Sequence, residues 1–275
     1  MTLPSFLGLG ALKAGTSTVH ALLQRHPGVA LPLHQKELMF FDRHWDRGPA
    51  WYAAQFAHAA GRPAGEISPS YLYEPAVPAR VASLLPTVRL FAVLREPVAR
   101  LESQYRFFAK EQGYRGGPRD FLRDHPNAFD RGLYAAQLAR WADHFPAEQL
   151  LVLLSDDLAG DTAAALRPLL RHLGVDEHAA LGQGTERFNQ AAAPRSQALW
   201  TAGRRVARWL YDHDLAWVVD AARRAGLRER LLHDRPPDVP PFDDALKAEL
   251  RSRYADDLAA TAARLGDARI TAWAR

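Results

Sequence analysis

Residues 6 to 18, Phe6-Leu7-Gly8-Leu9-Gly10-Ala11-Leu12-Lys13-Ala14-Gly15-Thr16-Ser17-Thr18, limit the possible folds more than any other stretch of this chain. A short apolar strand runs into a glycine-bearing turn, and a helix over 17–25 follows, ended by His26-Pro27-Gly28. Such a corner is built to hold an anion. The glycines let the backbone approach a ligand, successive N–H groups converge on it, and the helix adds the positive end of its dipole. Lys13 supplies a mobile full charge at the mouth.

The spacing of Gly10 and Gly15 matches the nucleotide-binding pattern G-x-x-x-x-G-K-[ST], but Thr16 follows Gly15 and the lysine stands two residues before it. A triphosphate loop uses its lysine on the β and γ phosphates. With Lys13 displaced, a shorter donor whose reactive group lies beside the loop fits better. The plain alternative at this point is an ordinary strand-turn-helix corner with a surface lysine.

Short apolar runs alternate with helical patterns along the rest of the chain, which predicts an α/β fold with a mostly parallel sheet covered by helices. Strands are expected at 3–9, 29–33, near 65–72, at 88–94 and at 150–154. Helices are expected near 76–85, from Pro97, over 133–145 and over 161–172, the last closed by Gly174. The run 88–94 is almost continuously apolar, as in a strand buried on both faces, and stops at Arg95-Glu96-Pro97, where proline opens the next helix. That makes a second strand-to-helix corner with a cation on its lip. The polar, arginine- and glycine-rich stretch 111–127 reads as a mobile loop with a short helix. Beyond Gly182 the strand signal ends, so residues 1–275 are read as one domain with a core over about 1–180 and a helical extension over about 181–275.

A net charge of +4 and a pI near 9.5 favour an anionic partner: a nucleotide, a sulfated or uronic sugar, nucleic acid or a lipid surface. Of 35 basic residues only Lys13, Lys36, Lys110 and Lys247 are lysines, which singles out the two in the first forty positions. A compact ammonium is not interchangeable with a guanidinium at a reacting oxygen. There is no cysteine, so disulfides and thiolate metal sites are excluded. The eleven histidines include no HExxH pair, and Asp156-Asp157 lacks ligand spacing, so no metal is expected. No run reaches the roughly 18–20 apolar residues of a membrane span, and a cytoplasmic location is expected.

Two cation-bearing corners of one parallel sheet describe a site for a molecule with two separated anionic groups. Arg95 and Ser103, the latter about two helical turns further on, can together grip one phosphate. Lys13-Ala14-Gly15-Thr16, then Lys36-Glu37 before Phe40-Phe41, then Arg95-Glu96-Pro97 with Arg100 and Ser103-x-Tyr105, resemble the sulfotransferases that use 3′-phosphoadenosine 5′-phosphosulfate. The likeness is nearest to the carbohydrate branch, including the heparan sulfate enzymes. Their Glu-x-x-Phe-Phe-Asp pattern is similar to Glu37-Leu38-Met39-Phe40-Phe41-Asp42, and a Gly-Leu-x-Trp-Tyr pattern is echoed by Gly48-Pro49-Ala50-Trp51-Tyr52. Glu66-Ile67-Ser68-Pro69-Ser70-Tyr71 and Gly132-Leu133-Tyr134 extend it over roughly residues 5–175. Each motif alone is weak; together, in the family's order, they are strong.

The resemblance implies a P-loop-like three-layer sandwich with a central parallel sheet. It implies that Lys13, Ala14, Gly15, Thr16, Ser17 and Thr18 wrap the 5′-phosphosulfate, with Lys13 near the bridging oxygen. Arg95 and Ser103 then bind the 3′-phosphate, Glu37 is the general base, and no metal is needed. Two departures bear on the acceptor side: Ile67 stands where carbohydrate members carry a lysine, with Lys36 a candidate substitute, and Met39 stands where histidine is common. The expected reaction is sulfuryl transfer to a hydroxyl, less readily an amine, of a sugar or glycosylated small molecule, with no nucleic-acid partner. Arg195 is a candidate further phosphate contact. The helix from Gln197 to Tyr211, with Arg204, Arg205 and Arg208 and with Trp200, Trp209 and Trp217 nearby, is a candidate lid for an anionic or lipid-linked acceptor. A P-loop kinase-like phosphotransferase, requiring ATP and Mg²⁺, is opposed by the displaced lysine together with Arg95 and Ser103. A non-catalytic protein binding anionic glycans would not need Glu37.

Overall fold

The apolar run at the N-terminus forms strand β1 (Phe6–Gly10), buried along its whole length, and helix α1 (Thr16–Arg25) follows the glycine turn. The structure is a computed structural model and describes residues 2–179, 193–194, 196–213, 215–227, 232–233 and 239–274. Next come α2 (Phe40–Arg43), α3 (Gly48–Ala54), β2 (Gly65–Ile67) and α4 (Val77–Leu84). Strand β3 (Arg89–Leu94) runs into α5 (Pro97–Gln112), after which α6 (Pro118–Asp124), α7 (Pro126–Asp130) and α8 (Tyr134–Ala142) precede β4 (Leu150–Leu154). Helices α9 (Ser155–Gly160) and α10 (Thr162–Leu173) complete the first part. The remainder contains β5 (Ala193–Pro194), α11 (Gln197–Asp212), α12 (Ala216–Arg224), β6 (Leu232–His233) and α13 (Asp244–Leu265).

The strands line up as β2-β1-β3-β4, every neighbour parallel. The chain leaves β1 for β2 on one side and then crosses to β3 on the other, so the order reverses between β1 and β3. Ligands of open parallel sheets sit at the carboxyl ends of strands beside such a reversal. The sheet and its helices form an α/β three-layer sandwich. Its centre is as apolar as the sequence predicts: Leu7, Leu9, Leu90, Phe91, Ala92 and Val93 are buried, and Gly8 passes so close to Phe91 and Ile67 that a Cβ there would lie 2.6 Å from the Phe91 ring.

The strands expected at 88–94 and 150–154 are present as β3 and β4. The strand expected at 29–33 shrinks to a single bridge between Ala30 and Ala64, because Pro32 has no N–H with which to continue a ladder. The stretch 111–127, expected as a loop with a short helix, is more helical than that: α5 runs to Gln112, Gly113 caps it in the left-handed conformation, only 113–117 and His125 lie outside helices, and α6 and α7 each open on a proline. Charge masked an aromatic pattern there, since the Phe121 ring lies 5.3 Å from that of Tyr105 and 5.6 Å from that of Tyr114. A short antiparallel pair, β5 with β6, lies where no strand was expected.

The C-terminal helix α13 buries Leu246, Leu250, Tyr254 and Leu258, one turn apart, in the same hydrophobic core as the sheet. Its Asp257 accepts the N–H groups of Tyr134 at 2.7 Å and Ala135 at 3.1 Å, capping α8 from a distant part of the chain. Among the described residues no helix is long and apolar enough to cross a membrane.

Candidate active site

The turn between β1 and α1 is held in conformations that L-residues disfavour. Lys13 has φ 68° and Gly15 φ 105°. The left-handed region costs a residue with a Cβ about 1–2 kcal/mol, so Gly15 relieves strain that Lys13 accepts. Helix α1 starts without a side-chain cap, and its Thr18 and Val19 N–H groups turn back to the Gly15 carbonyl. The N–H groups ahead of them form a cradle suited to an anion. Ala14 and Thr16 are buried beneath it, while Ser17 and Thr18 are half-buried.

The two corners expected from the sequence meet here. Arg95 donates from its guanidinium to the Lys13 carbonyl at 3.1 Å. Its own backbone is pinned: the Tyr134 hydroxyl donates to the Arg95 carbonyl at 2.8 Å, and the Glu96 carboxylate accepts the Val98 and Ala99 N–H groups at 2.9 and 2.6 Å to cap α5. Ser103 is half-buried two turns along that helix, on the face that also carries Phe107. The Lys13 ammonium lies 4.5 Å from the centre of the Phe107 ring, and burial, followed by the nearby Lys110, lowers its pKa. No direct bond joins Ser103 to Arg95 among the described residues. Arg100 is not a ligand group: it is fully buried and donates to Gln104 at 2.7 Å and to the Ala128 carbonyl.

Glu37 stands beside this cradle through Lys36, whose ammonium donates to Ser17 Oγ at 2.8 Å and to Glu37 Oε1 at 3.1 Å. Both side chains are about 30% exposed (31% and 28%), where an ion pair contributes at most ~1 kcal/mol. Stability is therefore a poor reason for the pairing. What holds Glu37 in place is a residue singled out in the sequence only as part of a motif. Glu66, on β2, is wholly buried and accepts four hydrogen bonds: from the hydroxyls of Tyr52 (3.0 Å), Tyr71 (2.7 Å) and Ser68 (2.6 Å), and from the Leu38 N–H (3.0 Å). The same cluster takes the Met39 N–H on Ser68 Oγ at 3.0 Å, and Met39 itself is left-handed at φ 50°. The turn carrying Glu37 is thus fastened residue by residue. Burial raises the Glu66 pKa and its hydrogen bonds oppose the rise, while burial beside Glu66 pushes both tyrosines well above their usual range. The available signal was a carboxylate at a buried strand end with hydroxyl residues two and five positions on.

A cleft of about 600 Å³ opens on Glu37, walled by α11 on one side and by Arg43 and His44 on the other. Glu111, at the end of α5, fastens that wall: its carboxylate accepts from Trp200 Nε1 at 2.9 Å, and its carbonyl accepts from Gln197 at 3.3 Å and Arg204 at 2.9 Å. Trp200 is accordingly a buried anchor rather than a lid surface. Trp209 and Trp217 are exposed, and Arg195 lies outside the described residues. Among the described residues, no three His, Asp or Glu side chains are grouped to hold a metal.

Comparison with known proteins adds a family to this geometry. The sequence profile of the family described as "Sulfotransferase domain" matches residues 4–192. The mouse "Heparan sulfate glucosamine 3-O-sulfotransferase 3B1" is 30% identical over 183 residues, covering 63% of this chain and 46% of the relative. The human "Bifunctional heparan sulfate N-deacetylase/N-sulfotransferase 3" is 28% identical over 198 residues, covering 64% of this chain and 23% of the relative. The chain thus spans less than half the length of either relative. Among solved structures, a sulfotransferase from Alicyclobacillus acidocaldarius superposes over 100% of both chains with a TM-score of 0.71 at 23% identity. The sulfotransferase domain of the Synechococcus PCC 7002 olefin synthase gives 0.53 at 18% identity over 80% of this chain and 96% of the other. These two likenesses concern the fold.

Proposed function

Because this chain belongs to the sulfotransferase domain family, we propose that it transfers a sulfuryl group from 3′-phosphoadenosine 5′-phosphosulfate to a hydroxyl, less readily an amine, of a sugar or glycosylated small molecule. The observation that carries this reading is the Lys36 ammonium, shared between Ser17 at the start of the cradle and the Glu37 carboxylate. One cation joins the place for a donor anion to a base.

Residues 13–18 hold the 5′-phosphosulfate, and Arg95 with Ser103 takes the 3′-phosphate. Glu37 accepts the proton of the acceptor hydroxyl as the new oxygen–sulfur bond forms and the bond from sulfur to the bridging phosphate oxygen breaks. Lys13 balances the charge that gathers on that leaving oxygen, and an anionic donor reverses the depression of its pKa. Lys36, where Ile67 leaves a lysine missing, balances the sulfuryl oxygens. In-line transfer of this kind requires alignment and fixed positive charge rather than a covalent enzyme intermediate.

Calorimetry with adenosine 3′,5′-bisphosphate against ATP with Mg²⁺ tests the reading. Bisphosphate is expected to bind and ATP to compete poorly; a preference for ATP sinks the proposal in favour of a phosphotransferase. Arg95→Ala is expected to lose about 1.5–3 kcal/mol of bisphosphate affinity, the size of a charged hydrogen bond. An unchanged affinity removes Arg95 from the site.

A further inference from the structure

The exposed large apolar side chains are not scattered over this molecule. Among the described residues they are Leu199, Val206 and Trp209 on α11, Trp217 on α12, Leu227 just beyond it, and Leu33. Leu33 belongs to the same region, because the ring of His34 next to it lies 2.7 Å from Asp220 of α12, and α11 and α12 pack together. Single exposed apolar residues are ordinary, whereas a cluster of them marks an interaction surface. The tryptophans follow the same distribution. Trp209 and Trp217 are 53% and 59% exposed, while the other five are buried or half-buried.

Helix α11 carries this pattern along its length. A helix that only covers a domain turns its apolar stripe inward. On α11 Trp200 is the buried side chain, and Leu199, Ala202, Val206 and Trp209, spaced three, four and three residues apart, make a stripe that is exposed throughout. The other side of the helix, with Thr201, Arg204, Ala207 and Arg208, lines the cleft. Arg205 is exposed at the border of the stripe, three residues after Ala202 and four before Trp209.

Charge selects the occupant of this surface. Residues 197–230 contain seven arginines against four acids, which is three of the four net positive charges of the whole chain. A second copy would set this basic surface against itself, and like charges opposed across an interface are unfavourable. An anionic bilayer meets both halves of the pattern: indole rings settle at headgroup level, Leu and Val enter just below them, and arginines reach the lipid phosphates. The helix is already folded and tied to Glu111 through Trp200, so little ordering remains to oppose binding.

We infer that α11, with α12, docks this protein on the surface of an anionic lipid bilayer. Leu199, Val206, Trp209 and Trp217 enter the headgroup region, and the exposed Arg205 and Arg224 meet lipid phosphates. Because the other side of α11 walls the cleft, the cleft then lies about one helix diameter, roughly 10–12 Å, from the lipid. This docking does not depend on the sulfuryl-transfer reading.

The test floats the full chain with vesicles of phosphatidylcholine alone and of an equal mixture of phosphatidylcholine and phosphatidylglycerol. Partition to the anionic vesicles is expected to exceed that to the neutral ones by about tenfold or more and to fall as salt rises from about 0.1 to 1 M. Lipids brominated in the upper acyl chain should quench the tryptophan fluorescence of the bound protein, since the two exposed indoles are the ones placed to reach them. Val206→Ser/Trp209→Ser and, separately, Leu199→Ser/Trp217→Ser should each lower anionic partition by about tenfold or more, with urea midpoints close to wild type because all four side chains are exposed. Equal partition to the two vesicles, or none to either, overturns the inference. So does anionic binding without bromolipid quenching, which is attraction by charge alone, and so do variants that partition as the wild type does. Light scattering completes the test: a dimer in the wild type that both variants disperse assigns the surface to a second copy and overturns the lipid reading.

Discussion

Glu37 and Glu66 are carboxylates that meet the same short turn from opposite sides, and burial separates what they can do. Glu37 is open to the cleft and paired with one ammonium; Glu66 is sealed under two tyrosines and a serine and holds the backbone of the turn. Each Glu66 oxygen accepts two of the four bonds, so Glu66→Gln leaves two donors facing an NH₂ group. The expected cost is about 1–3 kcal/mol of stability, with turnover falling while bisphosphate affinity is kept. Urea unfolding and calorimetry check the two halves, and normal turnover would free Glu37 from dependence on this cluster. Because the folded state raises the Glu66 pKa, it binds the proton more tightly than the unfolded chain. Its contribution to stability is thus largest at low pH and is lost as pH rises through the folded pKa. Lys36 makes a different claim. Lys36→Ala should lower turnover by about a hundredfold, as for loss of one preorganised charge, yet leave bisphosphate affinity unaltered because the bisphosphate has no sulfuryl group. A matching loss of bisphosphate affinity would instead place Lys36 on the phosphates.

Helix α5 is the element through which the parts of the site are joined. One half-buried side of it carries Ser103, Phe107, Lys110 and Glu111 at intervals of one and two turns, leading from the residue proposed for the 3′-phosphate, past the Lys13 ammonium, to the anchor of α11. Glu96 and Gly113 fix its two ends. Glu111→Ala removes the acceptor of the Trp200 indole N–H and leaves Arg204 without its carboxylate. Amide hydrogen exchange over 197–212 is expected to quicken by about tenfold or more, while β1 and β3 keep their protection. Equal protection of α11 in the variant would show that other contacts anchor it. The element boundaries reveal what was legible. Apolar runs gave away β1, β3 and β4, and Pro97 marked the start of α5. The helices between Gly117 and Asp130 were hidden because their burial comes from single aromatics set among arginines and glycines.

Across the whole molecule, burial of His20 on α1 ties stability to pH. Burial, aided by Lys36, lowers its pKa from 6.5 to about 4, and its Nε2 is buried without a hydrogen-bond partner. The unfolded chain therefore takes up a proton between about pH 6.5 and 4 that the folded chain refuses. Stability is fully present above pH 6.5 and declines as pH falls towards 4, by up to about 3 kcal/mol. Urea midpoints at pH 7 and pH 5 should differ in the wild type and converge in His20→Leu; an equal difference in the variant would assign the effect to other groups.

What the sequence by itself determined is local: the strand-turn-helix corner, the apolar strands, the absence of thiol chemistry, and which residue types line up with a sulfuryl-transfer pattern. Those features depend on neighbours within a few positions, where backbone sterics and hydrophobic periodicity act. Which charge meets which was decided by the tertiary structure. Arg95 reaches Lys13 across 82 positions because β1 and β3 are adjacent and parallel, and Glu66 reaches Leu38 because β2 flanks β1 on the other side. A carboxylate in a strand reads as a surface residue until two tyrosines close over it. An arginine helix likewise reads as solvated, and Arg204, Arg205 and Arg208 are exposed, yet only the packing of α11 shows that they line a cleft. Charge pairing at 3 Å depends on register and packing, which no local pattern of residues encodes.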